Sequence, residues 1–149
     1  MLEMALAIEG SARAFYAALS GKFSEQGALF KQLARDEEEH ESEYRQLLSG
    51  KGSEAIYSTE EERRVADYGI QILEDSGAIG NLRRGEERAK AAGDLDTALR
   101  ISAEMEKDTS FFYHNIALGL GSEDRRVIYK IIEAEYGHLK KVLSLLHSS

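Results

Sequence analysis

Apolar residues recur at the spacing of an α-helix in the first third of the chain. One such segment covers about residues 2–19, and a second covers about 24–48 with Ser24 as its N-cap. Gly50 and Gly52 follow the second segment, where glycine favours the end of a helix. Two helices joined by a short turn pack against each other, so this part of the sequence predicts a helical hairpin of about residues 1–50.

The same periodicity returns in the last third of the chain. A third helix is predicted to begin after Asp94, whose side chain suits an N-cap, and to end at Gly119. A fourth helix is predicted to begin at Ser122, because the two acidic residues that follow it favour a helix N-terminus. These two helices predict a second hairpin of about residues 94–147.

The segment between the hairpins, about residues 51–93, has a weaker pattern. Thr59 and, three residues later, Glu62 form a capping box ahead of a helix. The predicted apolar positions of that helix are Val65, Tyr68, Ile72 and Leu73. We therefore predict an all-α fold in a single domain of residues 1–149, namely a four-helix bundle of two helical hairpins joined by a long crossover that contains a shorter helix.

One pattern of polar residues interrupts the apolar stripes and occurs twice. Each copy has a lone Glu, an aromatic pair six and seven residues after it, and then a Glu-x-x-His. Residues three apart share a helical face, so the paired Glu and His lie on the same side of their helix. The two copies are Glu9 with Glu37 and His40, and Glu106 with Glu135 and His138.

These six side chains lie on faces that the apolar pattern predicts to be buried. A carboxylate in such a place is costly unless a partner compensates its charge. Four carboxylates and two imidazoles form the donor set that holds two iron ions in the core of a four-helix bundle. Manganese and zinc accept the same donors. We interpret the six residues as ligands of two metal ions, with iron as the first choice.

Other acidic residues near the motif have ordinary interpretations. A single Glu-x-x-His would carry little weight in so acidic a chain, and its repetition is what supports a metal site. Asp36, Glu38 and Glu39 are assigned to the surface or to hydrogen bonds with the ligands, because they lack the spacing to the histidine. Glu104 and Glu133 lack the spacing of the repeated pattern and are not predicted to be ligands.

Two tyrosines, Tyr16 and Tyr113, lie two helical turns from the lone glutamates. Each hydroxyl is predicted to hydrogen-bond a metal-ligating carboxylate across the bundle and to assist catalysis from there. The alternative for both is an ordinary core tyrosine. Tyr44 and Tyr136 are interpreted as packing residues, and His114 as a surface residue or as a support for the ligands.

Composition narrows the class of protein. The 149 residues include no cysteine, which removes disulfides, thiolate metal sites and iron–sulfur clusters from consideration. A net charge of -8 argues against nucleic acid as a partner. No apolar run approaches the roughly 20 residues of a membrane span, and charged residues in the first helix argue against a signal peptide. We expect a cytoplasmic protein that binds neither nucleic acid nor membrane.

Three segments around the repeated motif carry a resemblance to a known family. They read Ala-Ile-Glu-Gly-Ser-Ala-Arg-Ala-Phe-Tyr at 7–16, Leu-Ala-Arg-Asp-Glu-Glu-Glu-His at 33–40 and Ala-Leu-Arg-Ile-Ser-Ala-Glu-Met-Glu-Lys-Asp at 98–108. The chain resembles the rubrerythrin family of the ferritin-like superfamily, in a form that lacks the cysteine-bearing rubredoxin domain. The resemblance implies that Glu37 and Glu135 bridge two irons and that Glu9 and Glu106 are terminal carboxylates. It also implies that His40 and His138 cap opposite irons.

The resemblance also implies an activity. Rubrerythrin-like peroxidases are di-iron oxidoreductases that reduce hydrogen peroxide or dioxygen with electrons from an external donor, and they form homodimers that in some members exchange hairpins. Thr109 stands where full-length members carry an additional Glu, which bears on the peroxidase activity. Two alternatives stay open: a ferroxidase or iron-handling protein with the same donors, and a structural bundle with a vestigial site.

Overall fold

The computed structural model describes residues 2–50 and 59–148. Of the two glycines predicted to end the second helix, Gly50 is found directly after its last residue, and Gly52 lies outside the described residues. Within these ranges the chain is all-α, as the sequence predicted. The helices, in chain order, are α1 (Leu2–Lys22), α2 (Gly27–Ser49), α3 (Glu60–Asp75), α4 (Ala78–Leu82), α5 (Gly85–Ala91), α6 (Leu95–Leu118) and α7 (Ser122–His147).

The four long helices form the two predicted hairpins, in which α1 packs on α2 and α6 packs on α7. Each long helix contributes large apolar side chains to one shared core, and full burial of such a side chain contributes about 1.5–3 kcal/mol. Fully buried examples, one from each long helix, are Phe15, Phe30, Phe112 and Ile128. None of the helices in the described part of the chain has the length and apolar character that a membrane span requires.

The beginning of α2 differs from the prediction. A 3₁₀ turn, Ser24–Gln26, precedes α2, and Ser24 caps neither the turn nor the helix. The N-cap prediction at Ser24 is therefore wrong. The turn is closed by the main chain instead, because the Gln26 N–H donates to the Phe23 carbonyl at 3.1 Å. The helix consequently begins at Gly27, three residues later than the prediction.

The predicted caps of α3 and α6 are present. Thr59 and Glu62 form the reciprocal capping box, and Asp94 accepts a hydrogen bond of 2.7 Å from the Thr97 N–H. Glu62 also accepts from Arg125, whose guanidinium donates in addition to two backbone carbonyls at the end of α6 and to that of Leu120 in the turn after it. This arginine therefore satisfies helix-end carbonyls and ties α3 to the second hairpin.

The helix predicted through Val65, Tyr68, Ile72 and Leu73 is present, but these apolar residues do not form its buried face. Val65, Tyr68 and Ile72 are exposed, and only Leu73 of the four is buried. The remaining buried residues of α3 are Ala66, Gly69 and Ile70. Small residues let the α3 backbone approach α6 closely, and a methyl group built on Gly69 would lie 2.1 Å from the Asn115 side chain. Close backbone packing therefore outweighs the burial of the larger side chains.

The crossover contains α4 and α5 in addition to the one helix predicted there. Its last part is fixed to α1, where the Gly85 N–H donates to Ser11 Oγ at 2.8 Å. The Lys22 ammonium group donates to carbonyls at the C-terminal end of α5, including those of Ala89 and Lys90. Since α3 packs on α6 and α5 packs on α1, the crossover holds the two hairpins in one position relative to each other.

Candidate metal centre

All four long helices contribute to one buried polar cluster in the middle of the bundle. Its members are no more than 5% exposed to solvent, although each carries an ionisable side chain. They are the six residues that the repeated motif predicted as ligands: Glu9 from α1, Glu37 and His40 from α2, Glu106 from α6, and Glu135 and His138 from α7. The structure therefore brings both copies of the motif together within one chain.

The six side chains form two groups of four donors. Within each group, one ligand atom from every residue lies within 4.8 Å of the others. One group is Glu9, Glu37, His40 and Glu135, and the other is Glu37, Glu106, Glu135 and His138. Glu37 and Glu135 belong to both groups, which is the arrangement that carboxylates bridging two metal ions would have.

The distances within the first group show how closely the donors converge. Nδ1 of His40 lies 3.0 Å from Glu135 Oε1, 3.5 Å from Glu37 Oε1 and 3.6 Å from Glu9 Oε1. None of these contacts is a hydrogen bond, and Nδ1 of His40 and the Oε1 atoms of the three carboxylates have no hydrogen-bond partner.

The second group repeats this geometry. Nδ1 of His138 lies 3.1 Å from Glu106 Oε2, 3.2 Å from Glu37 Oε1 and 3.6 Å from Glu135 Oε1, and it too has no hydrogen-bond partner. Buried polar atoms are normally hydrogen-bonded, and each unpaired one costs about 1–3 kcal/mol. Orphaned donor atoms that face one another around two points fit two cations.

The pKa values of the cluster residues are shifted in the direction that reduces the negative charge of the buried carboxylates. Burial, with Glu9 as the next cause, raises the pKa of Glu37 to about 7, and burial with Glu37 nearby raises that of Glu135 to about 7. Burial likewise raises the pKa of Glu106. Burial by itself lowers the pKa of His138, but the adjacent carboxylates outweigh it and raise the value to about 11.

Protons therefore compensate the charge of the cluster when no cation is bound. The pKa of His40 is raised as well, because contacts with Glu135, Glu37 and Glu9 outweigh its burial. With four ionised carboxylates and two neutral imidazoles, the cluster would carry four negative charges, which two divalent cations would cancel. The donor set thus matches two divalent ions in number, in type and in charge.

The comparison with protein families agrees with this geometry. The sequence model of the Rubrerythrin family matches residues 1–146. The chain belongs to the rubrerythrin family. No curated protein and no solved structure matches it. The resemblance drawn from the sequence is confirmed, and the rubrerythrin assignment together with the buried cluster fits a di-iron site.

The two tyrosines of the rubrerythrin-like repeat have different partners. The Tyr113 hydroxyl donates to Glu9 Oε2 at 2.5 Å, as predicted. Tyr16 instead shares a hydrogen bond of 2.6 Å with Ser102 Oγ, so the prediction that it bonds a carboxylate is wrong. Ser102 lies one turn before Glu106 on α6 and takes the place of a carboxylate as the hydrogen-bond partner of Tyr16.

Tyr44 was predicted to be a packing residue, and in the structure it also lies next to the candidate metal site of this rubrerythrin. It is fully buried, and its ring centroid lies 5.2 Å from that of Tyr113. Its hydroxyl has no hydrogen-bond partner, and burial followed by the charge of Glu9 raises its pKa well above the usual range. Tyr44 lies seven residues after Glu37 on the same helical face, a spacing that could have identified it.

The remaining predictions concern residues around the cluster. Asp36 makes a hydrogen bond with a metal-binding candidate: Nε2 of His138 lies 3.0 Å from Asp36 Oδ2. His114 is exposed and hydrogen-bonds Tyr136, which is itself 47% exposed, so the packing role predicted for Tyr136 is wrong. Four other acidic residues that were not predicted as ligands are exposed: Glu38, Glu39, Glu104 and Glu133.

Proposed function

We propose that this chain is a di-iron oxidoreductase that reduces hydrogen peroxide or dioxygen, with Glu9, Glu37, His40, Glu106, Glu135 and His138 as the metal ligands. The observation that carries the proposal is the pair of four-donor groups that share Glu37 and Glu135. Two cations bound in these groups would be adjacent and joined through shared carboxylates, which suits a reaction that moves two electrons. Membership of the rubrerythrin family supports iron as the metal.

The iron pair, when bound, would supply the two electrons that convert hydrogen peroxide and two protons into two water molecules, and an external donor would return them. The protein's own contribution is positional. The Tyr113 hydroxyl oxygen lies 2.5 Å from Glu9 Oε2 and donates its hydrogen to it, so Tyr113 fixes the orientation of that carboxylate and keeps a proton at the edge of the centre. The low exposure of all six ligands excludes bulk water from the reaction.

The second candidate function is a ferroxidase or iron-handling activity. Thr109, which is buried, stands where full-length rubrerythrins carry an additional Glu, so this chain offers six protein ligands there. That observation favours a centre that takes up, oxidises and passes on iron. The two functions differ in whether the iron stays bound after it has been oxidised.

The test begins with protein freed of metal, loaded anaerobically with Fe²⁺ and separated from unbound iron. About two irons per chain are expected. Rapid mixing with hydrogen peroxide or with dioxygen then gives the rate at which the ferrous form is oxidised. A faster reaction with peroxide, and iron that stays bound through repeated reduction and oxidation, would support the peroxidase. Iron that leaves after oxidation would support the ferroxidase, and equally slow reactions with both oxidants would contradict a reductase.

A matched pair of variants tests the site assignment. Glu135→Gln removes a shared carboxylate, and we expect it to bind fewer than two irons and to lose the rapid reaction. Glu133→Gln changes an exposed residue on the same helix and should keep both. The same loading experiment with Mn²⁺ and Zn²⁺ ranks the metals. We further propose a homodimer, which sedimentation of the metal-loaded protein would test.

A further inference from the structure

The two halves of the repeat differ in what lies behind the histidines. Nε2 of His138 lies 3.0 Å from Asp36 Oδ2, on the side of the ring opposite the cluster. Since an ionised carboxylate only accepts, the imidazole donates from Nε2, so the proton released when a cation binds is that of Nδ1, which faces the other donors. Asp36 therefore fixes both the tautomer and the orientation of His138.

Asp36 is itself held in place. Gln32 donates to its other carboxylate oxygen at 2.8 Å, and Arg35 donates to Gln32 at 2.9 Å. The carboxylate is about a quarter exposed, so it stays in contact with solvent at the rim of the bundle while its inner oxygen faces the imidazole. The interaction is thus a three-residue support on α2 for a ligand that comes from α7.

His40 has no equivalent support in residues 2–50 and 59–148. The positions that match Asp36 and Gln32 in the second half of the repeat are Ala134 and Lys130. Alanine cannot accept a hydrogen bond from the ring, and no hydrogen bond from Nε2 of His40 is formed with any described residue. The two donor groups are therefore alike in their ligands and unlike in the environment of their histidines.

We propose that the two metal positions are inequivalent, and that the position ligated by His138 binds a divalent cation first and more tightly because Asp36 orients and polarises that imidazole. This inference rests on the proposed dimetal centre. Carboxylates that support a metal-ligating histidine typically contribute tenfold to hundredfold to metal affinity. The position ligated by His40 is then the weaker one, from which an ion exchanges more readily.

Stepwise addition of Co²⁺ alone to the metal-free protein tests the proposal. Cobalt shifts the N–H resonance of a coordinated imidazole, and His40→Gln and His138→Gln variants assign the two signals. We expect the His138 signal to appear with the first equivalent and the His40 signal with the second. Two steps of different affinity would not suffice on their own, because shared carboxylates make the second ion bind more weakly even in a symmetric centre.

Variants test the cause of the inequivalence. Asp36→Asn should weaken the first binding step about tenfold to hundredfold, whereas Glu39→Gln, which removes the same charge from an exposed position on α2, should leave it unchanged. Ala134→Asp introduces the missing carboxylate behind His40 and should strengthen the second step. It provides a test by gain of affinity in case the Asp36 variant folds poorly.

The outcomes separate this inference from the function proposed above. Parallel growth of both histidine signals, earlier appearance of the His40 signal, or an Asp36→Asn variant that binds the first ion as tightly as the unaltered protein would each overturn the inequivalence and leave the dimetal centre standing. Failure of the unaltered protein to bind Co²⁺ at the histidines would overturn the centre itself. Ordered filling that is abolished by Asp36→Asn would support both.

Discussion

The hydroxyl of Tyr113 lies 2.5 Å from Oε2 of Glu9, a contact that joins the second hairpin to the first inside the candidate metal centre. Tyr16 occupies the matching position of the first hairpin, and its hydroxyl is bonded to Ser102 instead. The residue that corresponds to Ser102 in the first half of the repeat is Ala5, which offers Tyr113 no such partner. The two matching tyrosines therefore differ in their hydrogen-bond partners, and only Tyr113 bonds a candidate ligand.

Replacement of Tyr113 by Phe should lower the free energy of unfolding more than replacement of Tyr16 by Phe does. The first leaves a buried carboxylate oxygen without its donor, and bonds to charged groups contribute about 1.5–3 kcal/mol. The second breaks a neutral hydrogen bond worth about 0.5–1.5 kcal/mol. Urea unfolding of both metal-free variants measures the difference, and Tyr113→Phe alone should also weaken metal binding. Equal losses in stability and unchanged affinity in both variants would contradict this account.

The metal-free protein should become less stable as the pH rises from about 5 to about 9. Glu37 and Glu135 lose their protons near an ordinary pKa of 4.5 when unfolded and at about 7 when folded. His138 does so near 6.5 when unfolded and at about 11 when folded. Between each pair of values the folded state binds more protons, so every unit of pH costs up to about 1.4 kcal/mol per proton.

Bound metal should reverse the dependence of stability on pH. Ligands must release their protons before they coordinate a cation, so the stabilisation by metal grows as the pH rises. Thermal unfolding of chelator-treated and Fe²⁺-loaded protein under anaerobic conditions, across the same pH range, measures both trends. A metal-free melting temperature that increases with pH through this range would show that the raised pKa values do not govern stability.

The candidate ligands could be predicted from the sequence because a metal centre fixes residue type and spacing together. Glu37 and His40 must share a face of one helix, and the second copy of the pattern repeats the constraint. Burial then follows, since the apolar stripe carries the ligands inward. The Tyr16 partner could not be predicted in this way, because it depends on how far α1 and α6 are displaced along each other, and no periodicity records that displacement.

The crossover shows a different limit of sequence reasoning. Val65, Tyr68 and Ile72 form a regular apolar stripe, yet α3 packs through Ala66 and Gly69. Periodicity identifies a helix and its apolar positions, whereas the face that is buried depends on how closely two backbones approach. The capping box at the start of α3 was predictable because all of its hydrogen bonds are local.

Replacement of Glu135 by Leu should stabilise the metal-free protein while it abolishes binding of a second ion. The change removes a fully buried carboxylate whose two oxygens are unpaired and which is repelled by Glu37, and an unpaired buried polar group costs about 1–3 kcal/mol. Urea unfolding and Co²⁺ titration of the variant measure the two effects. A variant that is more stable and still binds two ions would favour the vestigial-site alternative over the function proposed here.

Replacement of Gly85 by Ala should destabilise the fold at the contact between α5 and α1. A methyl group at this position would lie 2.3 Å from the Ser11 carbonyl oxygen and 2.8 Å from Ser11 Oγ, so the helices must separate and the hydrogen bond from the Gly85 N–H must lengthen. Overpacking of this kind costs about 1–3 kcal/mol. Gly80→Ala in α4 is the matched control, because nothing lies within 4 Å of its added methyl group and alanine favours a helix by roughly 0.5–1 kcal/mol. The free energy of unfolding in urea should therefore fall in Gly85→Ala and rise in Gly80→Ala. A decrease of similar size in both variants would refute close packing of α5 on α1 as the cause.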